Sequence, residues 1–75
     1  MALHFPLMVN GTRIGHLYAV RTEGGANADD INTYQVEIMT ESPRRVDSII
    51  LTHRYGDGAW ELVRKALEER DKGRR

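Results

Sequence analysis

Three imidazoles are the side chains of this chain best suited to acid–base chemistry or metal binding: His4, His16 and His53. Imidazole changes charge near neutral pH and is the commonest metal ligand in proteins. Local metal motifs use close spacings such as H-x-x-x-H, and no such spacing occurs here. A two-residue turn at Asn10-Gly11 would also place His4 and His16 on opposite faces of a hairpin. We therefore expect no metal site, no histidine general base, and a partly buried His16 held by a hydrogen bond.

Other constellations that could support catalysis are also missing from the sequence. Asp29-Asp30 is an adjacent pair in a loop pattern, and Ser42 and Ser48 lie in no nucleophile elbow. Gly24-Gly25 and Gly56-Asp57-Gly58 match turns and no phosphate-binding pattern. The chain has no cysteine, which excludes disulfides, a thiol nucleophile and cysteine zinc sites. We expect a protein that is not an enzyme and needs no cofactor.

Size and charge narrow the class of protein further. The 75 residues suffice for one small domain, and such domains are marginally stable unless a partner subunit or other constraint helps them. Eleven basic and eleven acidic residues give zero net charge, whereas nucleic-acid binders usually carry a basic excess. The N-terminus lacks a signal-peptide pattern, and no apolar run could span a membrane. These features and the missing cysteine predict a soluble cytoplasmic protein.

Alternating apolar residues at the N-terminus predict a β-hairpin. Asn10-Gly11 is the strongest short hairpin signature, because a type I′ turn needs positive φ at both central residues. The two-residue loop places Leu7 opposite Ile14 and Phe5 opposite His16. Pro6 cannot donate to the ladder, so its strand is predicted at an edge. The residues that this register places on one face, with His16 among them, are Leu3, Phe5, Leu7, Val9, Ile14, Tyr18 and Val20.

The middle of the chain reads as a loop followed by two more strands. Residues 22–31 are rich in turn formers and carry no apolar period, so this long connection is either mobile or functional. Residues 32–41 alternate, with Tyr34, Val36 and Ile38 on one side, and residues 46–55 form the last strand after a turn. The consecutive Ile49-Ile50-Leu51 leaves open which side of this strand is buried.

The C-terminal segment predicts one amphipathic helix. It starts near Asp57 as N-cap, and Trp60, Val63 and Leu67 are its expected packing residues. Glu61–Lys65 and Arg64–Glu68 are expected to form pairs one turn apart. The whole chain is therefore predicted as an α+β fold, an antiparallel four-stranded meander with one C-terminal helix on one face (ββββα). The domain should cover residues 1–70, with a frayed basic tail at 71–75.

The sheet face away from the helix is the best functional candidate in the sequence. It is predicted to carry an apolar group rimmed by charge, made of Met8, Leu17, Ala19 and Met39. An apolar patch of this kind on a small sheet often marks an interaction site. The side chains that we expect at an interface are Arg13, Leu17, Tyr18 and Met39, followed by His53, Arg54 and Tyr55 at the end of the last strand.

This face favours a non-enzymatic module that binds a protein partner or a second copy of itself, with no small-molecule substrate. The alternative is a nucleic-acid-binding module that uses arginines scattered over the sheet, namely Arg13, Arg21, Arg44, Arg45 and Arg54. Glu37 and Glu41 should share the open face with Arg13 and Arg21, and a face of mixed sign is usually a solvated surface. Zero net charge also favours the protein-binding interpretation.

Two segments of the chain carry a family resemblance. The sequences DDINTY (29–34) and HRYGDGAW (53–60), together with Asn10-Gly11, resemble small accessory proteins of actinobacteriophages. The resemblance runs over most of the chain. It implies a phage protein without an assigned activity, which acts in the host bacterial cytoplasm by binding a host protein and altering host growth.

Overall fold

A computed structural model describes residues 2–73 of the chain. Four antiparallel strands form a single sheet in the order β1-β2-β3-β4, and one helix follows, so the predicted ββββα arrangement is confirmed. The strand with Pro6 lies at an edge, as predicted. The elements are β1 (Ala2–Val9), β2 (Thr12–Glu23), β3 (Ile31–Glu41), β4 (Arg44–Arg54), a 3₁₀ turn (Tyr55–Asp57) and α1 (Ala59–Lys72).

A β-bulge at Ile14 sets which face of β2 is buried. Asn10 and Gly11 both have positive φ, as the predicted turn requires. Arg13 pairs with Met8 but Gly15 pairs with Leu7, so Ile14 is one extra residue in β2. A shift of one residue exchanges the two faces of a strand. The predicted face of β2 beyond the bulge is therefore wrong.

The exchange of faces puts different side chains of β2 into the core. Leu17 and Ala19 are fully buried under α1, whereas Tyr18 and Val20 lie on the open face. On β3, the predicted core side is confirmed. The core residues are Leu7, Leu17, Ala19, Tyr34, Val36, Ile38, Leu51, Leu62, Val63 and Ala66.

The structure also shows which side of β4 is buried. Leu51 pairs with Tyr34 and Ile49 pairs with Val36, so both lie on the side of the core. Ile50 lies on the open face and is 76% exposed.

The start of α1 differs from the prediction. Gly58 is the N-cap, with φ 83° and ψ 161°, and the helix begins at Ala59. Asp57 belongs to the preceding 3₁₀ turn, and its carboxylate accepts hydrogen bonds from the Arg54 guanidinium instead of capping the helix. The prediction of Asp57 as N-cap is wrong because the turn separates its side chain from the first helical N–H groups.

The packing face of α1 agrees with the prediction at Val63 and Leu67 and differs from it at Trp60. Leu62, Val63 and Ala66 form the buried stripe, and Trp60 is 78% exposed, so its predicted core role is wrong. The helix continues through Lys72, which extends it past the predicted boundary at residue 70. Of the predicted tail, residues 74 and 75 lie outside the described residues.

Ion pairs on α1 follow the prediction in part. Arg64 binds Glu68, as predicted, and also binds Glu61. Lys65 instead donates to the main-chain carbonyl of Thr52 at 2.7 Å. The helix is thereby tied to the outer edge of β4.

Candidate interaction surfaces

His53 lies in a buried polar cluster beneath the start of α1. It is 3% exposed, and its Nε2–H donates to the Gly58 carbonyl at 2.8 Å. A carbonyl can only accept, so Nε2 carries a proton. Nδ1 has no hydrogen-bond partner among the described residues. The ring stands edge-on to Tyr34, 6.3 Å between centroids. His53 therefore joins β4 to the helix, and its burial overturns the expectation that it contacts a partner.

Asn32 holds the long loop between β2 and β3 in place. Its side chain is fully buried, and Oδ1 accepts the Gly25 N–H at 2.8 Å. Arg21 donates to the Gly25 carbonyl, and the Asp30 carboxylate accepts the Asn27 N–H. These hydrogen bonds explain the conformation of residues 24–30 without a ligand.

The two segments that carry the family resemblance meet at this loop. Tyr55 N–H donates to the Asp30 carbonyl and Gly56 N–H to the Ala28 carbonyl, both at 2.9 Å. A Cβ at Gly56 would lie 2.7 Å from the Ala28 oxygen, so only glycine fits without movement. Both motifs thus have a role in folding at one end of the sheet.

Arg54 and Tyr55 are the accessible members of this end. The Arg54 guanidinium binds the Asp57 carboxylate at 2.8 Å, which lowers the pKa of Asp57 and raises the pKa of Arg54. Tyr55 lines a small cavity of about 220 Å³ together with His53 and Leu62. This end of β4 offers two exposed polar side chains, of which Arg54 already has a partner.

The open face of the sheet holds a stack of three rings. His4 Nε2 and His16 Nδ1 are 2.8 Å apart, and the His4 ring stacks on Tyr18 with centroids 4.5 Å apart. The bulge at Ile14 brings both imidazoles onto this face, so their predicted separation is wrong. His16 is half-buried and hydrogen-bonded, as predicted, and lies 4.0 Å from Glu41. Within residues 2–73, no three side chains are grouped to hold a metal ion.

The interface residues expected on the open face are divided by the structure. Tyr18 and the half-buried Met39 lie on this face, and Arg13 is exposed near the hairpin turn. Leu17 is 0% exposed and cannot touch a partner, because the bulge turns it into the core. The expected patch therefore lacks its central apolar residue.

An apolar groove that the sequence pattern did not reveal separates the β1–β2 hairpin from α1. Its volume is about 530 Å³. Trp60 stands at the groove with most of its indole exposed, and Arg70 is the one charged side chain of the described residues that lines it. The lining residues are Phe5, Pro6, Leu7, Met8, Val9, Ile14, Trp60, Val63, Leu67 and Arg70. The helical period alone had assigned Trp60 to the core, which concealed the groove.

Several arginines of the nucleic-acid alternative are engaged within the chain. Arg45 binds Asp47 at 3.1 Å and Arg54 binds Asp57, while Arg21 supports the loop at Gly25. Paired guanidinium groups contribute little to the phosphate attraction that such binding requires. The structure thus adds no observation that favours this alternative.

The described part of the chain contains no helix long and apolar enough to cross a membrane. The resemblance to actinobacteriophage proteins stays a prediction. Comparison with known proteins finds no family model, no curated protein and no solved structure that matches this chain.

Proposed function

We propose that this protein is a non-enzymatic protein-binding module whose groove beside Trp60 receives an apolar segment of a partner. The observation that carries the proposal is the 78% exposure of the only tryptophan of the chain at an apolar groove. Tryptophan is the residue type most enriched among side chains that dominate binding energy, and it acts best beside a pocket that excludes water. An exposed indole in this position is poorly explained by folding.

The groove also indicates the chemistry of the segment. Its walls are aliphatic and aromatic, so they suit a large apolar side chain. Arg70 adds a cation, and its Nε lies 3.4 Å from the exposed Asp71 carboxylate. An acidic side chain of the bound segment could replace Asp71 as the partner of Arg70. A segment with an apolar residue followed closely by Asp or Glu would match both features.

Side chains, rather than a shared strand ladder, should supply most of the affinity at this groove. β1 forms one wall and is an edge strand, but Pro6 lies near its middle and has no N–H to donate. The resemblance to phage accessory proteins implies a bacterial host protein as the source of the segment and altered host growth as the consequence. Both belong to this proposal.

Selection of random peptides on the immobilised protein tests the proposal. We expect the selected peptides to share an apolar residue next to an acid and to quench or shift Trp60 fluorescence on binding. Trp60→Ala should weaken their binding at least tenfold, and Arg70→Gln should weaken mainly the acidic ones. Val20→Ala, on the opposite side of the sheet, is the control. Peptides that bind Trp60→Ala as well as the original protein would contradict the proposal.

A further inference from the structure

Among residues 2–73, no neighbouring strand satisfies the main-chain groups on the outer edge of β4. Tyr55 N–H donates to the Asp30 carbonyl, so the odd-numbered residues of β4 face β3 in this unbroken register. The even-numbered residues therefore point their N–H and C=O groups outward. The Lys65 ammonium binds the Thr52 carbonyl from outside, which agrees with this assignment.

This edge lacks most of the features that prevent strands from pairing. Natural edge strands are usually short, kinked by a bulge, or interrupted by proline or inward charge. β4 has 11 residues, contains no proline and pairs with β3 without a register shift. Asp47 is a charge on the core side of the strand, where Arg45 binds its carboxylate. Lys65 protects only the Thr52 end. The stretch from Val46 to Ile50 is left as an open template.

The side chains of the outward-facing residues favour a neighbouring strand. Val46, Ser48 and Ile50 all lie on the open face and are exposed, with Ile50 at 76%. Valine and isoleucine are the residue types that pack best across strands. The unsatisfied backbone and the exposed apolar side chains therefore coincide on the same three residues.

We propose that a second copy of this chain pairs antiparallel with β4, with Ser48 on the two-fold axis, to form a continuous eight-stranded sheet. Ser48 then faces Ser48, and each Val46 faces Ile50 of the other copy. Three such residue pairs contribute about six main-chain hydrogen bonds, because each hydrogen-bonded pair in an antiparallel ladder exchanges two. This inference goes beyond the proposed function and uses the other edge of the sheet.

Charge selects this register over its neighbours. An axis at Asp47 would place the two Asp47 carboxylates side by side, and an axis at Ile49 would place Arg44 opposite Arg54. Neither conflict arises with the axis at Ser48, where Ser48 faces Ser48 and each Asp47 faces the uncharged Ile49 of the other copy.

A groove between β4 and α1 adjoins the same occupant. With Ser48 on the axis, Arg45 of the second copy lies opposite Leu51. Leu51 lines a cavity of about 590 Å³ between β4 and α1. The charged side chains of this cavity are Arg64, Lys65, Glu68, Glu69 and Lys72, and they include the ion pairs Arg64–Glu68 and Lys72–Glu69. The Trp60 groove lies toward β1, so the dimer leaves it open.

Single-cysteine crosslinking tests the register, since the chain has no cysteine of its own. Residues paired across the axis have Cα atoms about 5.5 Å apart, within the range of a disulfide. Ser48→Cys should give a disulfide-linked dimer under mild oxidation. Val46→Cys should not, because its copies lie four residues apart along the ladder, about 13 Å. A mixture of Val46→Cys and Ile50→Cys proteins should crosslink to each other. Equal crosslinking of Ser48→Cys and Val46→Cys would overturn the register.

Sedimentation velocity at micromolar concentration tests the dimer itself. The original protein should sediment as a dimer and Ile50→Lys as a folded monomer, because charge at an exposed edge opposes pairing. Val20→Lys is the matched control, on the open face but two strands away from the edge, and it should remain dimeric. A monomeric original protein overturns the proposal. Dissociation by Val20→Lys with none by Ile50→Lys would also overturn it, in favour of a face-to-face dimer. Neither outcome affects peptide binding at Trp60.

Discussion

Leu17 lies directly opposite Phe5 in the β1–β2 ladder, on the side of the sheet that α1 covers. An unbroken two-residue hairpin would place His16 in that position. The single extra residue at Ile14 makes the difference, and it decides which half of β2 enters the core.

Leu17→Ala should lower the free energy of unfolding by about 2–5 kcal/mol, since it leaves a cavity in the core. Urea denaturation followed by circular dichroism measures the change. Val20→Ala, on the same strand but on the exposed face, should change stability by less than about 0.5 kcal/mol. The reverse order of these two effects would show that β2 pairs without the bulge.

Gly15→Ala should destabilise the protein, because a Cβ at this position would overlap the main-chain carbonyl oxygen of Met39 on the neighbouring strand. We expect a loss of about 1–3 kcal/mol in urea denaturation. Gly73→Ala is the comparison, as its added Cβ would approach no atom closer than 3.5 Å. Equal stability of the two variants would argue against the close approach of β2 and β3 at Gly15.

Asn32→Ala should release the loop at residues 24–30, because the Gly25 N–H loses its acceptor inside the protein. A buried hydrogen-bonding group left unpaired costs about 1–3 kcal/mol. Hydrogen exchange should show faster exchange at Gly25 and at the main chain of residues 27–30. Asn27→Ala, whose side chain is exposed, should leave exchange at Gly25 unchanged; if it does not, the loop is held by other contacts.

Asp57→Asn should flatten the acid side of the stability profile. The Arg54 guanidinium holds the pKa of Asp57 below its ordinary range in the folded protein. A lowered pKa adds stability above the unfolded pKa of about 4, and this contribution disappears as pH falls through the folded pKa. Denaturation midpoints between about pH 5 and pH 2 should therefore fall less in Asp57→Asn than in the original protein. Arg54→Gln should have the same effect, and parallel profiles would exclude the pair as a contributor.

The Trp60 indole should be exposed to solvent, although Trp60 belongs to the apolar period of the helix. Its fluorescence, the only tryptophan signal of the protein, should be efficiently quenched by acrylamide without denaturant. Trp60→Ala should cost less than about 1 kcal/mol, well below the 3–5 kcal/mol typical of a buried tryptophan. A blue-shifted, protected emission would show instead that the indole folds into the groove.

The features of the fold that depend on neighbouring residues could be predicted from the sequence. Alternation along β3 identified Tyr34, Val36 and Ile38 as core, and Asn10-Gly11 identified the first turn. These predictions succeed because each depends on a period or a turn within a few residues. The element order and short connections then leave the meander as the simplest topology.

The candidate surfaces could not be predicted from the sequence, because they depend on contacts between distant segments that local patterns do not encode. The sequence by itself determined four strands, one helix and their order. Only the tertiary structure decided that Ile14 is an extra residue, that Trp60 remains outside the core, and that Ile50 lies on an open edge. Each of these is settled by packing between distant segments: β2 against β3 at Gly15, α1 against the sheet through Leu62 and Ala66, and the unbroken ladder of β4. A shift of one residue or a small helix rotation costs little locally, so the burial of the whole core selects among the alternatives.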